Sequence, residues 1–452
     1  MNFQDRLLRV IPGGAHTYSR GYDQFPSNAP QILDRGKGVH VFDSDGREFL
    51  DYGMALRAVN LGYSEKEIDD AAIEQIRKGN NLTRPSMIEL EAAELLVNLI
   101  DSVDMVKFTK NGSTAVSAAV KLARAYTGRE LVARCSDHPF FSYDDWFIGS
   151  TPVIRGIPSD TIERTKTFKF NDIKSLEELI AKYPEQLACI VLEPASFECP
   201  YIESGQIGCC GEAECKRDYL HSESNYLQQV QKLCHKNGIV FILDEMITGF
   251  RWHLKGAQHT YNVRPDLTTF GKAMANGFSV ACVAGRREIM ELGSIERKGA
   301  ERVFLLSTTH GAEMSGLGAF VATVKYINSN DVIDYLWKYG ANLISVMNES
   351  AKNHGISAFF KVIGSSCSPY YVTLDNNSLV SLEFRTLFNQ EMIRNGVLMP
   401  WISLAHRHTM EDLRKTQSAL DASFAIYKQA LEEGVDKFLV GPSVKPVFRK
   451  FN

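Results

Sequence analysis

Ile239-Val-Phe-Ile-Leu-Asp244-Glu245-Met246-Ile-Thr-Gly-Phe-Arg251 is a run of strand-forming apolar residues that stops on two carboxylates. Short apolar runs bounded by polar residues read as strands buried on both faces. Met105 to Phe108 and Ala188 to Leu192 have the same character, and from about residue 65 such runs alternate with long stretches of helical periodicity. That alternation predicts an α/β fold with a mostly parallel sheet flanked by helices. In open sheets of this kind the ligand crevice lies beyond the C-terminal strand ends. Asp244 is therefore expected at the floor of a site, where its charge would keep a heterocyclic nitrogen protonated. A metal-binding or merely solvated acidic pair is the alternative reading of the same two residues.

Outward from this centre, Gly38-Val-His-Val-Phe-Asp-Ser-Asp-Gly-Arg-Glu-Phe-Leu-Asp51 reads as two strands around an Asp45-Gly46 turn. Past residue 315 helical patterns return, with a β segment near Tyr370 to Leu374 and an amphipathic helix from about Met410 to Leu431. The expected organisation is a β-rich arm over 1–64, a large α/β domain over 65–315 and a smaller C-terminal α+β domain over 316–452.

A chain of 452 residues can bury several cores, and 44% hydrophobic with 23% charged residues is ordinary globular usage. The net charge of -4 offers no basic field for nucleic acid. No apolar run reaches the length of a membrane span, and Met1-Asn-Phe-Gln-Asp-Arg-Leu-Leu-Arg-Val10 lacks a signal peptide's apolar core, so a cytoplasmic protein without membrane or nucleic-acid partners is expected. Nine cysteines, an odd number in a long chain, read as reduced thiols. Cys199, Cys209, Cys210 and Cys215 crowd one Gly-rich stretch without paired Cys-x-x-Cys spacing, and a surface insertion with free thiols is expected there in preference to a metal site.

Two further motifs complete a constellation. Lys110-Asn-Gly-Ser-Thr-Ala-Val follows the strand ending at Phe108 and opens a helix, where unpaired N–H groups and the macrodipole favour a phosphate, although plain capping explains Ser and Thr equally well. Pro265-Asp-Leu-Thr-Thr-Phe-Gly-Lys272-Ala-Met-Ala-Asn-Gly277 is a β-like run ending at a lysine. Most lysines are solvated, but one whose pKa is lowered forms imines with aldehydes. A phosphate cradle, an acid for a ring nitrogen and an imine-forming lysine are the protein contributions that pyridoxal phosphate (PLP) needs.

With these segments in view, the chain resembles class III aminotransferases, in their glutamate-1-semialdehyde 2,1-aminomutase-like branch, over nearly its whole length. Asp244 to Arg251 is similar to the family's Asp-Glu-Val-x-Thr-Gly-Phe-Arg, and Pro265 to Lys272 to its Schiff-base motif. Agreement extends to Ile11-Pro-Gly-Gly14, Asp51-Tyr52, Val191-Leu-Glu193-Pro194 and Gly285 to Leu292. The resemblance implies a PLP-dependent transferase of fold type I, with Lys272 and Asp244 catalytic and Gly112 and Ser113 on the cofactor phosphate. It also implies Met246 against a ring face and Glu193 beside the cofactor. Thr309, in Ser307-Thr-Thr-His-Gly-Ala-Glu313, looks like the threonine that reaches a neighbouring subunit's phosphate, which implies a homodimer with shared sites. Arg20 falls where aminomutases carry an arginine for the substrate carboxylate, and an exposed structural arginine is the alternative.

Three departures narrow the reading. The family's Tyr-His-Gly is absent, and in Asp137-His-Pro-Phe-Phe-Ser-Tyr-Asp-Asp-Trp146 the stacking aromatic falls to Phe140 or, with nearly equal claim, Phe141. Gly53-Met-Ala-Leu-Arg-Ala-Val-Asn-Leu-Gly62 replaces the aminomutase Ser-Trp-Gly segment, and Ser307 to Glu313 replaces its Gly-Thr-x-Ser-Gly-Asn-Pro loop. These stretches look more like those of aminomutase relatives that work on other carbonyl substrates, including sugars. Intermolecular amino transfer from an amino donor to a small carbonyl acceptor is therefore the expected activity, with an intramolecular aminomutase or a non-catalytic binding protein of the same fold as alternatives.

Overall fold

A computed structural model describes residues 2–202 and 224–452; Cys209, Cys210 and Cys215 lie outside the described residues. The chain divides into two compact units, one holding 66–334 and the other joining 2–65 to 335–452.

The first unit is built on seven strands: β1 (Met105–Thr109), β2 (Leu131–Cys135), β3 (Thr165–Phe168), β4 (Leu187–Leu192), β5 (Val240–Asp244), β6 (Leu267–Phe270) and β7 (Ala281–Gly285). Their order is β1-β7-β6-β5-β4-β2-β3, with β5 at the centre. β3, β2, β4, β5 and β6 run parallel, whereas β7 is antiparallel to both β6 and β1. Every residue of β4, β5, β6 and β7 is buried, as expected where helices cover both faces. One carboxylate ties three strands together. Asp266 accepts the Phe241 N–H at 2.8 Å and the Arg286 guanidinium at 2.5 Å, so the start of β5, the start of β6 and the end of β7 share one anchor.

Between β1 and β2 runs α1 (Gly112–Thr127), capped by the Asn111 side chain on the Thr114 N–H and closed by Gly128 in the left-handed region. Ala115, Ala118, Ala119 and Ala123 on its buried face allow close approach to the sheet. Among the described residues no helix is long and apolar enough to cross a membrane.

In the second unit the hairpin of His40–Asp43 and Glu48–Asp51 turns at Asp45-Gly46, with Gly46 at φ +82° and Asp43 accepting the N–H groups of Asp45 (3.0 Å) and Arg47 (2.9 Å). Val397–Leu398 pairs in parallel with Leu50–Asp51, which places N- and C-terminal segments in one sheet. Phe360–Ile363 and Tyr370–Thr373 form a second small sheet, and helix Met410–Glu433 starts with a capping box between Thr409 and Asp412.

Beyond that hairpin the backbone does something sequence propensity does not favour. Met54, Ala55, Leu56 and Arg57 all have positive φ, from 40° to 67°, making one left-handed turn from four non-glycine residues. Each such residue costs on the order of 1–2 kcal/mol, so surrounding bonds must hold the turn. Asp51 accepts the N–H groups of Gly53 (2.7 Å) and Met54 (3.2 Å) and the Tyr63 hydroxyl (2.7 Å), while Trp401 Nε1 donates to the Gly53 carbonyl at 2.9 Å. Ala55→Gly, which suits a left-handed backbone, is expected to melt at or above the parent temperature. Ala55→Val should lose about 2 kcal/mol, because β-branching is least tolerated there. Thermal unfolding of the two variants checks this, and equal losses would contradict it.

Candidate active site

Asp244 ends the central strand. Its Oδ1 accepts the Met246 N–H at 2.9 Å and the Thr269 hydroxyl at 3.2 Å. Burial pushes the carboxyl up to about 6, while the Met246 N–H, the Lys272 ammonium and the Thr269 hydroxyl act in the opposite direction. At neutral pH the group is therefore mainly ionised inside an apolar strand end. Lys272, whose charge acts on it, follows β6 and Gly271, is half-buried and has φ +45°. A non-glycine residue in that region is sterically strained and persists only where its surroundings fix it.

Glu245, next in the chain, has a different role. Its carboxylate accepts the Thr248 hydroxyl at 2.6 Å and the N–H groups of Ala257 at 2.7 Å and Gln258 at 2.8 Å. It braces the loop after β5 from within and is fully buried, so the acidic pair is not a solvated one. Among the described residues no group of three His, Cys, Asp or Glu side chains is placed to hold a metal. Cys199, from the Cys-rich stretch, is buried.

Met246 joins the predicted motifs. A Cβ built on Gly112 would lie 2.8 Å from the Met246 sulfur, and one built on Gly271 would lie 2.6 Å from it. Both glycines thus lie against one side chain, and the start of α1 and the turn carrying Lys272 meet on either side of it. Ala115 and Ala281 complete this small apolar cluster.

Ser113 is buried, and its hydroxyl accepts the Tyr143 N–H at 3.2 Å. The Tyr143 hydroxyl is 3.3 Å from Thr114 Oγ1, so an exposed phenol sits at the first turn of α1, a residue that sequence reasoning did not single out. Of the two phenylalanines, Phe141 is 2% exposed and packs edge-on against Phe147, whereas Phe140 is 46% exposed and presents a free surface. The Glu193 N–H donates to His138 Nδ1 at 3.0 Å. Burial, with the Arg134 charge, pushes the His138 imidazole down to about 3, so it accepts that bond as a neutral ring. His138 also escaped prediction, since a lone histidine carries no signal of burial.

Thr309 stands on an exposed turn of the same unit, its carbonyl accepting Asn81 Nδ2 at 3.0 Å. Arg20 belongs to the other unit, where it is exposed. Burial and Asp51 push the Tyr63 phenol up there, and the Arg20 charge opposes them.

The family model for class III aminotransferases matches residues 22–203 and 211–368. The chain belongs to this family. The enzyme is 31% identical over 439 residues to the 3-aminobutyryl-CoA aminotransferase of Cloacimonas acidaminovorans, covering 95% of this chain and 98% of that one. It is 30% identical over 435 residues to the glutamate-1-semialdehyde 2,1-aminomutase of Archaeoglobus fulgidus, covering 92% and 97%. Among solved structures, the FumI protein of Sphingopyxis sp. MTA144 in a PLP form superposes with a TM-score of 0.81 at 24% identity, covering 95% of this chain and 97% of that one. That likeness establishes the fold, type I of the PLP-dependent transferases. Family membership makes the chain a PLP-dependent enzyme, an aminotransferase or aminomutase acting on small molecules.

The carboxyl of Asp244 gives a pH signature without cofactor. Its folded value lies above the unfolded 3.8, so the folded chain binds that proton more tightly and loses stability as pH rises from about 4 through about 6. Asp244→Asn should remove the dependence. The melting difference between variant and parent should therefore shift in the variant's favour across that range, by an equivalent of up to about 3 kcal/mol. A difference independent of pH would contradict the raised value.

Proposed function

We propose that the enzyme is an intermolecular aminotransferase that moves an amino group from an amino donor to an aldehyde or ketone acceptor, possible sugar derivatives included. What carries this reading is the convergence on Met246: the anion-favouring start of α1 and the turn bearing Lys272 both abut one side chain, two residues beyond Asp244. The two glycine surfaces and the buried ionised carboxylate suit a flat, phosphate-bearing heterocycle.

PLP, when bound, supplies an aldehyde that exchanges amines and a ring that takes up the electrons left when a carbon next to nitrogen loses its proton. In this proposal Gly112 and Ser113 hold the phosphate with first-turn N–H groups and a hydroxyl. Asp244 keeps the pyridine nitrogen protonated, Met246 packs on one ring face, and Phe140 offers its exposed ring for the other. Glu193 holds its place beside the ring through its bond to His138. Lys272 Nζ would hold the cofactor at its aldehyde carbon, and would take and return the proton at the substrate carbon. Arg20 is assigned to the substrate carboxylate.

Lys272→Ala is expected to remove the lysine-dependent absorbance of the bound cofactor and lower turnover more than about 10³-fold. Turnover that survives would refute the assignment. The aminomutase reading is supported by relatives such as the one from Archaeoglobus fulgidus. Incubating the PLP form with a single aminoaldehyde separates the two, because only a mutase completes a cycle without a second amino donor.

The homodimer is part of the same proposal. Ile73, Ile76, Leu82, Met87 and Leu90 are exposed apolar residues on both sides of Asn80 and Asn81, the loop that touches Thr309. Such a patch beside a residue assigned to a neighbour's phosphate suits a second copy of the chain. Ile76→Glu with Met87→Glu should shift sedimentation toward the monomer and weaken cofactor retention. A dimer of unchanged stability would refute this face.

A further inference from the structure

Two residues before Gly112, the Lys110 ammonium lies 2.6 Å from Glu313 Oε2. Asn80 Nδ2 donates to the other carboxylate oxygen at 2.7 Å. Asn80 also receives the N–H of Met314 on its carbonyl at 2.8 Å and that of Ser315 on its side-chain oxygen at 3.0 Å. Through Asn81, the same loop holds the Thr309 carbonyl. On the other side, the Lys110 carbonyl accepts the Ser279 hydroxyl at 2.6 Å, which fixes the backbone that leads into α1.

These bonds connect the entry of α1 to the turn from Thr309 to Glu313. The two charged side chains are only 25% and 27% exposed, so water and salt screen the pair less than a surface ion pair. The Lys110 hydrogen bond, opposed by burial and helped by the Asn80 bond, holds the Glu313 carboxyl below its usual range, consistent with a formed pair. Neither residue is assigned a step in the proposed amino transfer, and helix capping does not need them, because Asn111 caps α1.

We infer that Lys110 and Glu313 are positioning residues for the cofactor phosphate: their ion pair fixes the Thr309 turn to the base of the phosphate-binding helix. This rests on the assignment of Thr309 to a phosphate under the proposed function. The turn that serves the partner's site is thereby anchored on this subunit's own α1 entry. Thr309 reaches its target only while the anchor holds.

The test is a cycle of the near-isosteric Glu313→Gln and Lys110→Met with Thr309→Ala, with the dissociation constant of PLP from the full-length enzyme read by absorbance titration. Each single variant is expected to weaken PLP about ten-fold, and Glu313→Gln added to Thr309→Ala should weaken it less than about two-fold further. Lys110→Met with Glu313→Gln should match either single variant, as expected of one pair. A merely structural role would lower the melting temperature and multiply the effects, and that result overturns the inference. If Thr309→Ala weakens PLP while Glu313→Gln does not, the clamp alone is wrong. If Thr309→Ala leaves PLP binding unchanged, the phosphate assignment of Thr309 fails and the clamp with it.

Discussion

The proposed site depends on one carboxylate staying ionised where an apolar strand ends. Burial opposes charge on Asp244, and the Met246 N–H, the Thr269 hydroxyl and the Lys272 ammonium offset enough of that penalty to keep its pKa near 6. Two of these three partners come from neighbouring strand β6 and the turn after it. The parallel pairing of β5 with β6 is therefore an electrostatic requirement as well as a packing one. Asp266 secures that pairing at the opposite ends of the same strands.

Adjacent residues on one strand end serve different ends because their side chains leave the backbone in different directions. Asp244 accepts a hydroxyl and lies in the field of a lysine, whereas Glu245 turns into the protein and organises the loop through Gln258. With that loop braced, Met246 is held at a fixed place, where two glycines must leave room for it. Strain lies in the same region, with Lys272, whose charge acts on Asp244, in a left-handed conformation.

Much of this was legible in the chain. The apolar runs at 105–108, 188–192 and 239–243 correspond to β1, β4 and β5 within a residue or so, and the Asp45-Gly46 turn and the helix from Met410 stand where periodicity puts them. Other elements carried weak signals. Thr165-Lys-Thr-Phe168 is short and mostly polar, and in Ala281-Cys-Val-Ala-Gly285 Val283 stands among small residues with little β preference, so neither run declares a strand. The antiparallel course of β7 and the pairing of Val397–Leu398 with the N-terminal hairpin are long-range events with no local trace.

The sequence by itself determined which chemistry was possible: a lysine after one strand-like run, an acid after another and a Gly-Ser-Thr helix start after a third. Local composition records strand ends, caps and glycines because their causes act over a few residues. Only the tertiary structure decided that the Lys272 charge acts on Asp244 while Glu245 braces a loop, that Phe141 is buried while Phe140 is not, and that Lys110 pairs with a residue about two hundred positions away. Those choices depend on the direction of side chains across neighbouring strands and loops, which is set when the sheet assembles and has no counterpart in the order of residues along the chain.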